Sequence, residues 1–134
     1  MLLKKNISLL VVHCSDTPNN INLSAIDIHE MHLGFGWNGI GYHKIIKRSG
    51  KIENGRPEYW VGAHVKGKND ISLGVCLIGR DNFTKNQFKS LELVLKKWKK
   101  LYPTAKIVGH KDTGNTKKTC PNFDLLSWSK NIFI

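Results

Sequence analysis

Short β-branched apolar runs alternate along this chain with longer stretches whose apolar residues recur at helical spacing. Residues 7–13 (ISLLVVH) form the first such run and predict a buried strand. Ser15 to Asn20 is a loop of turn formers. Ser24 is placed to cap a helix that carries Ile26, Ile28, Met31 and Leu33 and stops at Gly34. A glycine-rich stretch with Trp37 inside it follows. Residues 42–47 (YHKIIK) alternate as a strand, and Ser49-Gly50 turns the chain into Lys51-Ile52-Glu53. Residues 72–78 (SLGVCLI) and 106–109 (KIVG) predict two more strands. The clearest helix begins at Thr84, where Thr84-x-x-Gln87 is a capping box. Its Phe88, Leu91, Leu95 and Trp98 share one face, and Pro103 ends it. Asp124 is placed to cap a last helix with Leu125, Leu126 and Trp128. This alternation predicts an α/β protein: a single domain over residues 1–134 with a central mixed β-sheet flanked by helices.

Composition agrees with that reading. The chain has 134 residues, 40% hydrophobic and 23% charged, which suits one soluble globular domain and excludes a disordered or collagen-like chain. No apolar stretch is long enough to span a membrane. Lys and Arg number 21 against 10 Asp and Glu, so the net charge is +11 and a polyanionic partner is expected. The lysines do not form a block with interleaved aromatics and no nucleic-acid motif occurs, which argues against nucleic acid as that partner. Three cysteines, an odd number, do not make a disulfide framework. The N-terminal segment is broken by Ser8 and lacks a small-residue cleavage site, so it reads as a strand rather than a signal peptide. Synthesis in the cytoplasm is the corresponding expectation.

Three side chains suit zinc: His13 at the end of the first strand, His110 after the last strand, and Cys120. Strand ends converge at one rim of an α/β sheet, where ligand sites form. A catalytic zinc takes three protein ligands and keeps a fourth position open. Spacing alone leaves the alternative standing, two satisfied histidines and a small buried thiol. His29 reads as a surface residue, and His32, three positions on, shares its helix face. Tyr42 and His43 are strand neighbours, so one faces any site and the other is core. His64 sits in a loop with access to a cleft. Cys14 is expected to face away from His13 into the core, and Cys76 to be buried mid-strand. Lys118 lies two residues before Cys120 and shares its face if that segment is extended. Trp37, Tyr59 and Trp60 read as core rather than as platforms for sugar rings.

Five blocks occur in order: VVHCSDTP, GWNGIGYHKIIKRSGKIENGRP, VGAHVKGKNDISLGVCLIG, VGHKD and KTCPNFD. Together they resemble the zinc-dependent N-acetylmuramoyl-L-alanine amidases of the amidase-2 type, a group that includes phage amidase-type lysozymes and peptidoglycan recognition proteins. The resemblance covers roughly residues 7–126. It implies a surface groove holding one Zn2+ per chain on His13, His110 and Cys120, catalytic roles for Tyr42 and Lys118, and substrate contacts at His32 and His64. The implied reaction is hydrolysis of the amide between N-acetylmuramic acid and L-alanine in peptidoglycan, by a monomeric endolysin that reaches the cell wall after release. The alternative is a recognition module that binds peptidoglycan without cutting it. Some bacterial relatives carry a catalytic glutamate at the position of Cys76, and others use an aspartate as third ligand where this chain has Cys120. The glutamate-base mechanism therefore does not transfer to this chain.

Overall fold

The computed structural model describes residues 1–114, 116 and 118–133. Its five-stranded sheet is built from β1 (Leu9–Cys14), β2 (Lys44–Ile46), β3 (Ile52–Asn54), β4 (Ser72–Leu77) and β5 (Lys106–Gly109). The strands lie in the order β3-β2-β4-β1-β5. Among the described residues only the β2–β3 hairpin is antiparallel; β2, β4, β1 and β5 run parallel. Among the described residues, three helices accompany the sheet: α1 (Ala25–Gly34), α2 (Lys85–Leu101) and α3 (Leu125–Ile132). No helix among the described residues is long and apolar enough to cross a membrane.

The alternation of side chains divides the central strands between two cores. Leu10 and Val12 of β1, Ile46 of β2, and Leu73, Val75 and Leu77 of β4 pack with Leu91, Val94, Leu95 and Trp98 of α2 and Leu125 of α3. Ile45 and Cys76 point the other way and meet Ile28 of α1, with Ile40 and Ile78. The first core is the larger because α2 lays a full apolar stripe along it. α1 offers only Ile28 and His32 as buried residues. It therefore covers part of its face and leaves the end of β1 open beside it.

All three anticipated helix starts are present, with Asp124 capping α3 by accepting from Ser127 N–H at 3.2 Å. Ser24 Oγ accepts from Asp27 N–H while the Asp27 carboxylate accepts from Ser24 N–H, and Thr84 and Gln87 form the same reciprocal pair. Gln87 is fully buried because it does more than cap. Its amide donates to Ile46 O and Ile78 O at 3.3 and 2.9 Å, and its Oε1 also accepts from Arg48. One polar side chain thus fastens α2 to the ends of β2 and β4.

Two expectations are corrected. Trp37, Tyr59 and Trp60 are not core: they are 47%, 61% and 53% exposed. Aliphatic residues already fill both faces of the sheet, so no core position remains for them. Cys14 is buried, but it borders a groove instead of facing away from it. Cys14 is the last residue of β1, and at this strand end its sulfur accepts from Asn122 Nδ2 at 3.6 Å, on the loop that carries Cys120.

Candidate metal centre and groove

The parallel register sets His13 beside Cys76 on the face that α1 leaves partly open. β5 runs alongside β1 and ends at Gly109, so a short 3-10 turn (His110–Asp112) begins at the same rim. Asp112 secures this turn by accepting from Gly109 N–H at 3.0 Å. Cys120 arrives on a loop held from both sides. Its carbonyl accepts from Lys111 N–H at 3.1 Å, and Asn122 Nδ2 donates to Arg80 O at 2.7 Å. Just beyond, the Phe123 ring packs edge-on against Phe83, Phe88 and Trp128. This aromatic anchor ties the loop to α2 and α3.

The result is a compact donor set. The Nδ1 atoms of His13 and His110 face each other at 3.2 Å. Those two histidines and Cys120 offer ligand atoms that all lie within 4.8 Å of one another. Tetrahedral zinc with bonds of about 2.0–2.3 Å spaces its ligand atoms within the same range, so the set suits such an ion. Electrostatics favour the ligating forms. Burial lowers the His13 pKa and keeps its ring neutral. The Cys120 thiol is held well below the usual thiol range, first by the Cys14 thiol as donor and then by His110 and His13. Cys14 moves the opposite way, so the adjacent thiols settle as one thiolate and one thiol.

The donor set lies in a groove of about 380 Å³. Met31, His32, Phe35 and Trp37 are among its lining residues, as are Ser15, Asp16 and Asn122. Tyr42 stands between His13 and His32, with ring centroids 5.1 and 5.5 Å away. Burial, followed by the neighbouring Cys76, raises the Tyr42 pKa well above its ordinary value. Its hydroxyl therefore stays protonated at neutral pH. Tyr42 is thus the groove residue of the Tyr42–His43 pair, and His43 is buried behind it.

Lys118 is exposed and borders the same groove. His32 is buried, accepts from Gly41 N–H through Nδ1 at 3.1 Å, and meets the Trp37 ring edge-on at 4.6 Å. His64 is 8% exposed and sits directly behind His13, with His13 Nε2 and His64 Nδ1 2.9 Å apart. His29 is exposed, as expected, and its Nδ1 accepts from Ile40 N–H.

Sequence reasoning missed Phe35 as a groove residue and misassigned Trp37. The available signal was two aromatics in a glycine-rich stretch directly after a helix stop, where no periodic core pattern claims them. Asn122 was also missed. Its left-handed backbone (φ 64°), uncommon outside glycine, marks a tight turn beside Cys120.

The family model described as N-acetylmuramoyl-L-alanine amidase matches residues 3–123. The endolysin of Enterobacteria phage K11 is 41% identical over 135 residues, covering 95% of this chain and 88% of the phage protein. The endolysin of Escherichia phage T7 is 38% identical and covers 93% and 87%. Among solved structures, the N-acetylmuramoyl-L-alanine amidase LysC from Clostridium intestinale superposes with a TM-score of 0.85 at 30% identity, covering all of this chain and 91% of that one.

Proposed function

From the premise that this chain belongs to the amidase-2 family and is an N-acetylmuramoyl-L-alanine amidase, we propose that it uses one zinc ion to cut the bond between the lactyl group of N-acetylmuramic acid and the L-alanine of the stem peptide. The carrying observation is the convergence of His13, His110 and Cys120 beside an open groove. Their chemistry fits Zn2+, which pairs well with mixed imidazole and thiolate ligands.

His13, His110 and Cys120 would hold the ion. When bound, zinc supplies Lewis acidity and a water that ionises near neutral pH. The Tyr42 hydroxyl, kept protonated by burial, is a donor that orients the attacking water or passes a proton toward the leaving amine. The Lys118 ammonium, exposed at the rim, stabilises the oxyanion as the carbonyl becomes tetrahedral. His32 and Trp37 form a wall against which the substrate lies. His64 borders the groove as well, and the resemblance would make it a second contact there. The protein is read as a monomer acting on the cell wall, as an endolysin does. Muramyl-peptide binding is consistent with a structural neighbour, a point mutant of Drosophila PGRP-LB in complex with tracheal cytotoxin, 29% identical with a TM-score of 0.71 and covering 82% of this chain and 73% of that one. A complete donor set weighs against the alternative of a recognition module that binds without cutting.

Digestion of purified peptidoglycan, read by mass spectrometry, tests the proposal. Peptides beginning at L-alanine, lost on chelation and restored by zinc, are the expected products. Wall binding with no cleavage by zinc-loaded protein would replace this reading with the recognition module.

A further inference from the structure

Behind the donor set runs a chain of hydrogen bonds that ends at a backbone carbonyl. Ser72 Oγ donates to Lys68 O at 2.7 Å. A hydroxyl has one proton, so toward His64 Nε2, at 3.3 Å, Ser72 can only accept. His64 Nε2 therefore carries a hydrogen. In a neutral ring the other nitrogen is then bare, so His64 Nδ1 must accept from His13 Nε2–H at 2.9 Å. That assignment leaves His13 Nδ1 without a proton and with its lone pair facing His110 Nδ1 and Cys120. Each step follows from the one before. The starting point, a carbonyl oxygen, cannot reverse its role.

The chain is built into the fold. A Cβ at Gly74 would lie 2.6 Å from His64 Nδ1, and one at Gly62 would lie 2.6 Å from His64 Cδ2. Two glycines thus make room for a ring inserted against the sheet. The loop that carries it is fixed by Asn69 Oδ1, which accepts from the N–H groups of both His64 and Val65 at 2.8 and 2.9 Å. Ser72 is fully buried at the start of β4. Both His64 nitrogens are occupied by protein partners, so no polar atom of the ring is free for substrate.

We propose that His64 and Ser72 are positioning residues that set the tautomer of His13, so that Nδ1 is presented as a ready-made metal ligand. The inference rests on the metal reading given above and assigns His64 a role behind the site rather than in the groove. Partners of this kind orient a ligating histidine, and their loss typically weakens metal binding about 10–100-fold.

The test compares His64→Phe, His64→Asn and Ser72→Ala with the wild type. Asparagine places its side-chain oxygen near the position of His Nδ1 and can accept from His13. Nitrogen-15 NMR of the histidine rings in the metal-free protein reads the tautomer directly. Chelator competition gives the zinc affinity, the visible spectrum of the Co2+-loaded protein reports ligand geometry, and steady-state kinetics separate kcat from KM. Expected results are an Nε2–H tautomer of His13 in the wild type, its loss in His64→Phe and weakening in Ser72→Ala. Zinc affinity should fall about 10–100-fold in His64→Phe, with most of it recovered in His64→Asn. Unchanged zinc affinity and Co2+ spectrum in His64→Phe, with a raised KM, would overturn the proposal and make His64 a substrate contact. A wild type that binds neither metal would overturn the metal reading itself, whatever the variants do.

Discussion

Gly74 touches His64 so closely that a methyl group on its Cα would come within 2.6 Å of the ring nitrogen facing His13. The strand position opposite a buried ring must therefore be glycine, although glycine is otherwise a poor strand residue. Gly74→Ala is expected to cost about 1–3 kcal/mol, the usual penalty for overpacking a core. Gly74 lies within β4, paired with Val11 of β1 on one side and accepting from His43 N–H at 2.9 Å on the other, so relaxation is limited. The displaced ring should also loosen zinc. Thermal melts with and without chelator separate the two effects: the variant melts lower in both, and the gap between the curves narrows.

Cys120→Ser and His110→Ala should abolish amide cleavage while leaving the fold intact. Neither side chain belongs to either apolar core. In excess chelator their melting temperatures should match that of the wild type. In zinc, only the wild type should rise, because a ligand that binds the native state alone stabilises by mass action. A variant that melts far below the chelated wild type would show that these residues hold the fold rather than the metal.

Tyr42→Phe and Lys118→Ala should separate by mechanism. Tyr42 is packed between His13 and His32, so Phe keeps the ring contacts and removes only the hydroxyl. A drop of about 10²–10⁴-fold in kcat is expected for loss of a proton-transfer group, with zinc still bound. Removing one oxyanion donor costs about 10²–10³-fold in kcat. The Lys118 loss should be partly restored in Lys118→Arg. Wild-type turnover in either truncation removes that residue from the reaction.

The fold was legible where one local rule decides the outcome. Thr84 and Gln87 announce α2 because a capping box needs only two side chains at fixed spacing. The additional bonds from Gln87 to Ile46 and Ile78 were not legible, since they depend on where two strands end in space. The strand expected over 42–47 is regular only at Lys44–Ile46. Before it, Tyr42 O and His43 O accept from Arg56 and Gly55, a continuation of the hairpin with irregular backbone. His13 and His110 could be placed at one rim by the rule that strand ends converge. Cys120 could not, because the loop that carries it away from His110 has no register. Ser72 carries no motif at all; its importance appears only once Lys68 O and His64 are seen on either side of it.

Acid should destabilise the zinc-free protein well before its carboxylates titrate. Burial lowers the pKa of His43, His64 and His32 below the ordinary histidine value. For His43 the geometry shows why. Its Nδ1 accepts from Gly74 N–H at 3.1 Å, which a protonated ring cannot do, and its Nε2–H donates to Trp60 O at 2.8 Å. The unfolded chain takes up protons near pH 6.5 while the folded one does not, so unfolding is coupled to proton uptake. The stability contributed by these neutral rings is fully present above about pH 6.5 and is lost as pH falls below it. In that window each ring costs up to about 1.4 kcal/mol per pH unit. Melting temperatures measured in chelator should be flat from about pH 8 to 7 and fall steeply from about pH 6.5 to 5. A His43→Gln variant, even if less stable throughout, should show a shallower fall. An equally steep fall in that variant would mean that His43 is protonated in the folded protein, which its bond from Gly74 does not allow.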